Sequence, residues 1–175
     1  MKIFLNPGHA PNGEPDTGAC GNGLKEAIVV ADIAADLEKY LVKAGVEIVG
    51  NVQDDNLNYV VNEANRSKAD FFISIHCNSY VDPAANGTEV YAFSPYTIGT
   101  LLADSILDEI VGSFDLNNRG VKYANFFVLR ATIMPAVLVE TAFVSNPHDA
   151  DILRGHTTEI AAAIARGVTN YQLHP

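Results

Sequence analysis

This chain of 175 residues predicts a layered α/β domain. Short apolar runs alternate with longer stretches of helical periodicity, the mark of strands interleaved with helices. One run, "AVLVE" (136–140), is apolar at nearly every position, as a central strand covered on both faces must be. Between the runs lie segments too rich in Gly, Pro and Asn for a core element.

The elements follow in order. "KIFLN" (2–6) is the first strand, and "PGHAPNGEPDTGACGNG" (7–23) is a long polar loop. A helix is predicted from about Leu24 to Ala44, because Val30, Ile33, Ala34, Leu37 and Leu41 fall on one helical face. Gly45 then supplies a left-handed stop. "VEIVG" (46–50) is a second strand, and 56–66 a second helix with Leu57, Val60, Val61 and Ala64 inward. "FFISIH" (71–76) is a third strand that ends abruptly on a histidine. "GTEVYAF" (87–93) alternates more strongly and suits a sheet edge. A helix covers Ile98 to Ser113, "FFVLRA" (126–131) reads as a further strand, and "AVLVE" as a central one. "PHDADILRG" is a short helix, and 158–171 a last one with Ile160, Ile164, Val168 and Tyr171 in line. Without repeats or an interior linker, residues 1–175 are expected to form a single domain.

Composition narrows the function. A net charge of -10 and a pI near 4.7 leave no basic stripe for phosphates, so no nucleic-acid partner is expected. The same charge disfavours direct attraction to an anionic wall polymer, so such a substrate requires short-range recognition or a separate targeting module. The two cysteines, Cys20 and Cys77, are too few for a disulfide framework and are expected as free, partly buried thiols. The start "MKIFLNPGHA" lacks the long apolar region and cleavage site of a signal peptide. No apolar run approaches the roughly 20 residues of a membrane span.

In open α/β sheets, ligands bind beyond the carboxyl ends of the parallel strands. His9 follows the first strand, His76 ends the third, and Glu140 ends the most apolar one. Glu26 lies in the first turn of the first helix, four residues before Val30, and so on the inward stripe. An unpaired carboxylate there would cost on the order of 2–7 kcal/mol. Two histidines and one carboxylate converging on a cleft would bind Zn²⁺ and leave a position open for water, with the other carboxylate free as a base. The plain alternatives are strand-end histidines without a ligand, Glu26 serving only the helix dipole, and Glu140 paired with Arg119 or Arg130. His148, His156 and His174 read as solvated.

The blocks "NPGHAPNGEPDTGACGNGLKEA", "ADFFISIHCNS" and "MPAVLVETAFVSNPHDADIL" together resemble the zinc-dependent N-acetylmuramoyl-L-alanine amidases of the Amidase_3 type, hydrolases of the bacterial cell wall found in autolysins and phage endolysins. The resemblance runs from Met1 to about Tyr171. It implies an α/β fold with a twisted, mostly parallel sheet of about six strands flanked by helices on both faces. It also implies one Zn²⁺ per chain held by His9, Glu26 and His76, with Glu140 as catalytic base. The substrate would be peptidoglycan, cut at the amide between N-acetylmuramic acid and L-alanine, by a monomer carrying no targeting module of its own. The site of action would be the cell wall, reached by release on lysis or by an export route outside this chain.

Three departures from the family pattern are visible. Cys77 stands where Ala is usual, Thr141-Ala142 where a Gly is usual, and "GNVQDD" where the family commonly has Thr-Arg. Glu14, Asp16, Asn125 and Arg130 are candidates for the peptide groove. Other functions remain open: a zinc peptidase or carboxypeptidase on the stem peptide, a glycosidase using Glu26 and Glu140, or a non-catalytic wall-binding module.

Overall fold

The structure, a computed structural model, describes residues 1–173. Strand β1 (Lys2–Pro7) turns Ile3 and Leu5 to one side and Phe4 to the other, so both faces of the sheet it founds are buried. A 3₁₀ turn (Pro11–Gly13) and a short antiparallel ribbon, β2 (Cys20–Gly21) with β3 (Leu24–Lys25), lead into α1 (Glu26–Lys43). β4 (Glu47–Asn51), α2 (Leu57–Ser67), β5 (Phe71–Asn78), β6 (Thr88–Ala92) and α3 (Ile98–Ser113) follow. The rest of the chain forms β7 (Asn118–Tyr123), α4 (Phe127–Ala131), β8 (Ala136–Phe143), α5 (Pro147–Gly155) and α6 (Thr157–Leu173).

Among the described residues, six strands join in one sheet of order β4-β1-β5-β8-β6-β7. β4, β1, β5 and β8 run parallel, β6 runs antiparallel to β8, and β7 follows β6 in parallel. After β1 the chain moves outward to β4 and then returns to β5 on the other flank of β1. That reversal opens a crevice at the carboxyl ends of β1 and β5. Alternation along β5 decides what faces it: Phe71, Ile73, Ile75 and Cys77 join the core under α1, α3 and α6, while Phe72 joins the core under α2 and α4. His76, of the same parity as Phe72, faces the second layer.

The predicted α/β class, the sheet and the helices on both faces are as expected, with corrections in detail. α1 starts at Glu26, because Leu24 and Lys25 pair with the preceding ribbon strand. "FFVLRA" is not a strand: Phe127–Ala131 is a helix that packs Val128 and Leu129 against α2. β6 is not at the edge but between β8 and β7, and the edge strand is the polar "NRGVKY". Leu57 is largely exposed at the head of α2, whereas Val60, Val61 and Ala64 are buried as expected. The final helix begins at Thr157 and buries Ile160, Ile164 and Val168, while Tyr171 stacks edge-on to Phe71. Cys20 is exposed, Cys77 is buried, and both are free thiols. His148 and His156 are more than half exposed; His174 lies outside the described residues.

Helices α3 and α6 approach closely enough for Ser105 Oγ to donate to Gly167 O at 2.7 Å. A Cβ on Gly167 would stand 2.5 Å from Ile106 Cα and 2.8 Å from Ser105 O. Gly167→Ala is therefore expected to lower the unfolding free energy by about 1–3 kcal/mol in a denaturant titration. Gly155→Ala, whose Cβ would meet nothing within 4 Å, is the control and should leave it near the wild-type value.

Candidate functional site

Three segments meet at the crevice. The loop after β1 carries His9, which holds φ at 66°, a left-handed conformation that costs a non-glycine residue about 1–3 kcal/mol and is characteristic of functional sites. The first turn of α1 carries Glu26. Lys25 caps that helix without a side-chain bond, and loop carbonyls take the free helical N–H groups instead: Glu26 N donates to Ala19 O and Ala27 N to Thr17 O. This leaves the Glu26 side chain free to turn inward, where it is 3% exposed. The third segment is β5 with His76.

The strands run past the site residues rather than ending on them, which corrects the sequence reading. β5 continues to Asn78 and β8 to Phe143, with His76 opposite Glu140 and the register shifting just beyond. The backbone bends at that shift, at the rim of the crevice.

Glu26 is the hub. Its Oε2 lies 2.9 Å from His9 Nε2 and accepts from Ala19 N at 2.8 Å. Its Oε1 lies 2.9 Å from His76 Nδ1 and accepts from Cys77 N at 3.0 Å. One donor atom from each of His9, Glu26 and His76 lies within 4.8 Å of the other two. The rings of His9 and His76 meet edge to face, 5.2 Å between centroids. Asp16 Oδ2 sits 2.7 Å from His9 Nδ1, and Asp16 Oδ1 accepts from Gly18 N. A hydrogen on Nδ1 bonded to Asp16 leaves His9 Nε2 as the ligating nitrogen, the usual arrangement behind a metal-bound histidine.

The donor set therefore fits a borderline divalent cation such as Zn²⁺: two imidazoles and a carboxylate. Two glycines make the room. A Cβ on Gly8 would lie 2.2 Å from His76 Cε1, and one on Gly18 (φ 65°) 2.5 Å from His9 Cδ2 and 2.6 Å from Glu26 Oε2.

Electrostatics agree with the packing. Burial opposes the charge of Glu26, yet hydrogen bonds from His76 and His9 outweigh it and hold its pKa well below the usual carboxylate range. Burial also opposes the charged form of His9, but Glu26 and then Asp16 overcome it and raise its pKa to about 9. Glu140 goes the other way. Burial, helped by the nearby Glu26 and Glu89 and opposed by His76 and His9, pushes its pKa up to about 7. Its Oε2 is buried with no hydrogen-bond partner among the described residues. The alternative ion pair is not formed: Arg119 bonds Glu89, and Arg130 donates to Asn125 O and lies over the Phe127 ring.

Glu89 was not singled out from the sequence. It sits directly opposite Glu140 on β6 and accepts from Asn78 Nδ2, Tyr91 OH and Arg119 Nε at 2.9, 2.7 and 2.6 Å, and from Lys122 Nζ. Burial works against its charge, and Lys122 and Arg119 more than offset that, keeping its pKa low. Its one sequence signal was a charged residue inside an alternating strand, which an edge assignment made ordinary.

His9, His76 and Glu140 line a cleft of about 340 Å³. Leu57, Phe126, Phe127 and Leu138 give it an apolar wall, and Asp16, Asp54 and Asp55 an acidic rim. Of the four groove candidates, Asp16 is in this lining, while Glu14, Asn125 and Arg130 are not. Two family departures touch each other behind the site: Thr141 Oγ1 lies 3.4 Å from Cys77 Sγ and donates to His76 O at 2.9 Å.

A family signature described as N-acetylmuramoyl-L-alanine amidase matches residues 3–170. The chain belongs to this amidase family. It is 38% identical over 176 residues to "N-acetylmuramoyl-L-alanine amidase LytC" of Bacillus subtilis, covering 97% of this chain and 35% of LytC. It is equally identical to the "Sporulation-specific N-acetylmuramoyl-L-alanine amidase" of that bacterium, covering 97% of this chain and 66% of that protein. The chain thus spans less than two thirds of the length of these two relatives. Among solved structures, the amidase AmiC2 of Nostoc punctiforme superposes with a TM-score of 0.90 at 34% identity, over 99% of this chain and 98% of the other.

Glu140 is a half-buried carboxylate whose folded-state pKa exceeds its ordinary value of 4.5. Such a carboxylate is protonated in both states at low pH, and its ionisation in the fold is penalised as pH rises through about 7. In the metal-free protein, Glu140→Gln should therefore gain stability relative to wild type by roughly 2–3 kcal/mol between pH 4.5 and above pH 7. Paired urea titrations across that range measure it; a pH-independent difference is the contrary result.

Proposed function

We infer that this amidase-family chain hydrolyses the amide between the lactyl group of N-acetylmuramic acid and L-alanine in peptidoglycan, with residues 1–175 acting as one catalytic domain. Glu140 is the general base, and Zn²⁺ is the cofactor held by His9, Glu26 and His76. The observation that carries the reading is the unpartnered, buried Oε2 of Glu140 together with a clustered His-Glu-His donor set, with Glu140 and both histidines lining one cleft.

Bound there, Zn²⁺ supplies Lewis acidity toward the scissile carbonyl and acidifies the attacking water. The chain's own groups do the rest. The Glu140 side chain lines the cleft and its Oε2 is tied to no other group, so the carboxylate takes the proton of the attacking water and then delivers it to the departing amide nitrogen. The pKa of about 7 suits both the taking and the giving. Asp16 holds His9 in the tautomer that presents Nε2. The apolar wall of Leu57, Phe126 and Phe127 covers one side of the substrate and keeps bulk water from the reacting bond.

A paired-carboxylate glycosidase is disfavoured by Glu26, whose two oxygens are each committed to a histidine and a backbone N–H. The acidic rim and the net charge of -10 indicate that attachment to an anionic wall rests on short-range fit in the cleft. Among the described residues, no helix is long and apolar enough to cross a membrane.

On isolated peptidoglycan the protein is expected to release new alanine amino termini without new reducing sugar ends. Glu140→Gln should keep its metal content while turnover falls by roughly 10²–10⁴-fold. His76→Ala should lose bound zinc itself, as measured by elemental analysis after gel filtration. Reducing ends from the wild type, or near-normal lysis by Glu140→Gln, would falsify the assignment.

A further inference from the structure

The segment "GNVQDD", where the family's Thr-Arg is missing, contains a side chain that reaches back into the site. Gln53 is half-buried, and its Nε2 donates to Gly8 O at 3.0 Å and to Ala27 O at 2.8 Å. Both hydrogens of one amide group are thereby used. Gly8 immediately precedes His9, and Ala27 immediately follows Glu26. The other side of the Gly8 residue is also tied: Gly8 N donates to Ile75 O at 3.0 Å, the residue before His76.

The three ligands arrive from a loop, a helix start and a strand, and no short covalent path fixes their mutual positions. Gly8 cannot absorb an error by moving toward β5, because the His76 ring fills the space where its Cβ would stand. Helix α1 is set by its own packing on the sheet, so the remaining freedom is the approach of the His9 loop to the start of α1. Gln53 spans that gap from the end of β4, and being neutral it does so without placing a fixed charge beside the ligands.

We propose that Gln53 is a positioning residue for the metal centre, clamping the backbone next to His9 to the backbone next to Glu26 so that both ligands meet the cation in register with His76. The proposal rests on the metal reading above. It predicts that the loss appears in metal affinity, as for other residues that orient ligands without touching the metal.

The test is zinc affinity measured by chelator competition, with urea unfolding of the metal-free protein alongside. Gln53→Met keeps the bulk and removes the donors. Gln53→Glu keeps the shape, removes the donors and adds a negative charge that alone would attract a cation. Both should weaken zinc binding by about 10–100-fold. Asn65→Leu cuts a comparable tie, from Asn65 on α2 to Ala131 O at the end of α4 and Ile133 N just beyond it, and should lower stability with zinc affinity intact. Unchanged affinity in Gln53→Met, tighter binding in Gln53→Glu, or an equal loss in Asn65→Leu overturns the proposal. A wild-type protein that takes up no zinc at all sinks the metal reading, and the clamp with it.

Discussion

A buried carboxylate held between two imidazoles is the constraint on which the rest of this structure depends. Glu26 gives up nearly all its hydration, a loss worth several kcal/mol if nothing replaces it. Four groups replace it, two ring nitrogens and two backbone N–H groups, from His9, Ala19 and the adjacent pair His76 and Cys77. In the metal-free protein the balance is completed by a proton on His9, whose pKa is raised because Glu26 and Asp16 outweigh the penalty of burial. A divalent cation held by these donors would replace that proton and supply the same balancing charge. The strained backbone of His9, the ribbon that wraps the start of α1 and the two glycines that leave no space for a Cβ all serve this one arrangement.

Around the hub, the sheet places charges in an unusual order. Glu140 and Glu89 are cross-strand neighbours, and two like charges in that relation destabilise a sheet. The chain separates their roles by giving them unequal surroundings. Glu89 has two cations, a tyrosine and an amide, and stays ionised. Glu140 has none of these and keeps a pKa near neutrality. The antiparallel strand β6 thus brings in a neighbour that helps raise the Glu140 pKa.

Much of this was legible in the sequence, and the reasons differ by element. The stripe of α1 and the apolar run of β8 are strong periodic signals, so the α/β class and the placing of Glu26 followed from them. His9, His76 and Glu140 stood where an open sheet presents ligand groups, and the family blocks tied them together. Less was legible where local chemistry is ambiguous. "FFVLRA" is a short apolar run whose helical state is decided by packing on α2, and β7 looks polar because edge strands carry charge. The continuation of β5 and β8 past His76 and Glu140 was hidden by "CNS" and by Thr141, which read as turn and departure. The cations on Glu89 and the reach of Gln53 are contacts between remote segments, which no single segment announces, and the bond from Asp16 to His9 depends on how one irregular loop folds on itself.

The neighbour of His76 carries a further consequence. Cys77 directly follows His76, one of the three clustered donors, yet pleating turns its sulfur into the opposite layer, where burial first and the nearby Glu26 second keep the thiol protonated well above its ordinary range. A thiolate close by would have drawn softer, thiophilic ions and invited oxidation at the heart of the fold. Stored there as an uncharged filler, the sulfur adds no soft donor to the His-Glu-His cluster, and of the two cysteines it is the exposed Cys20 that is left open to oxidation.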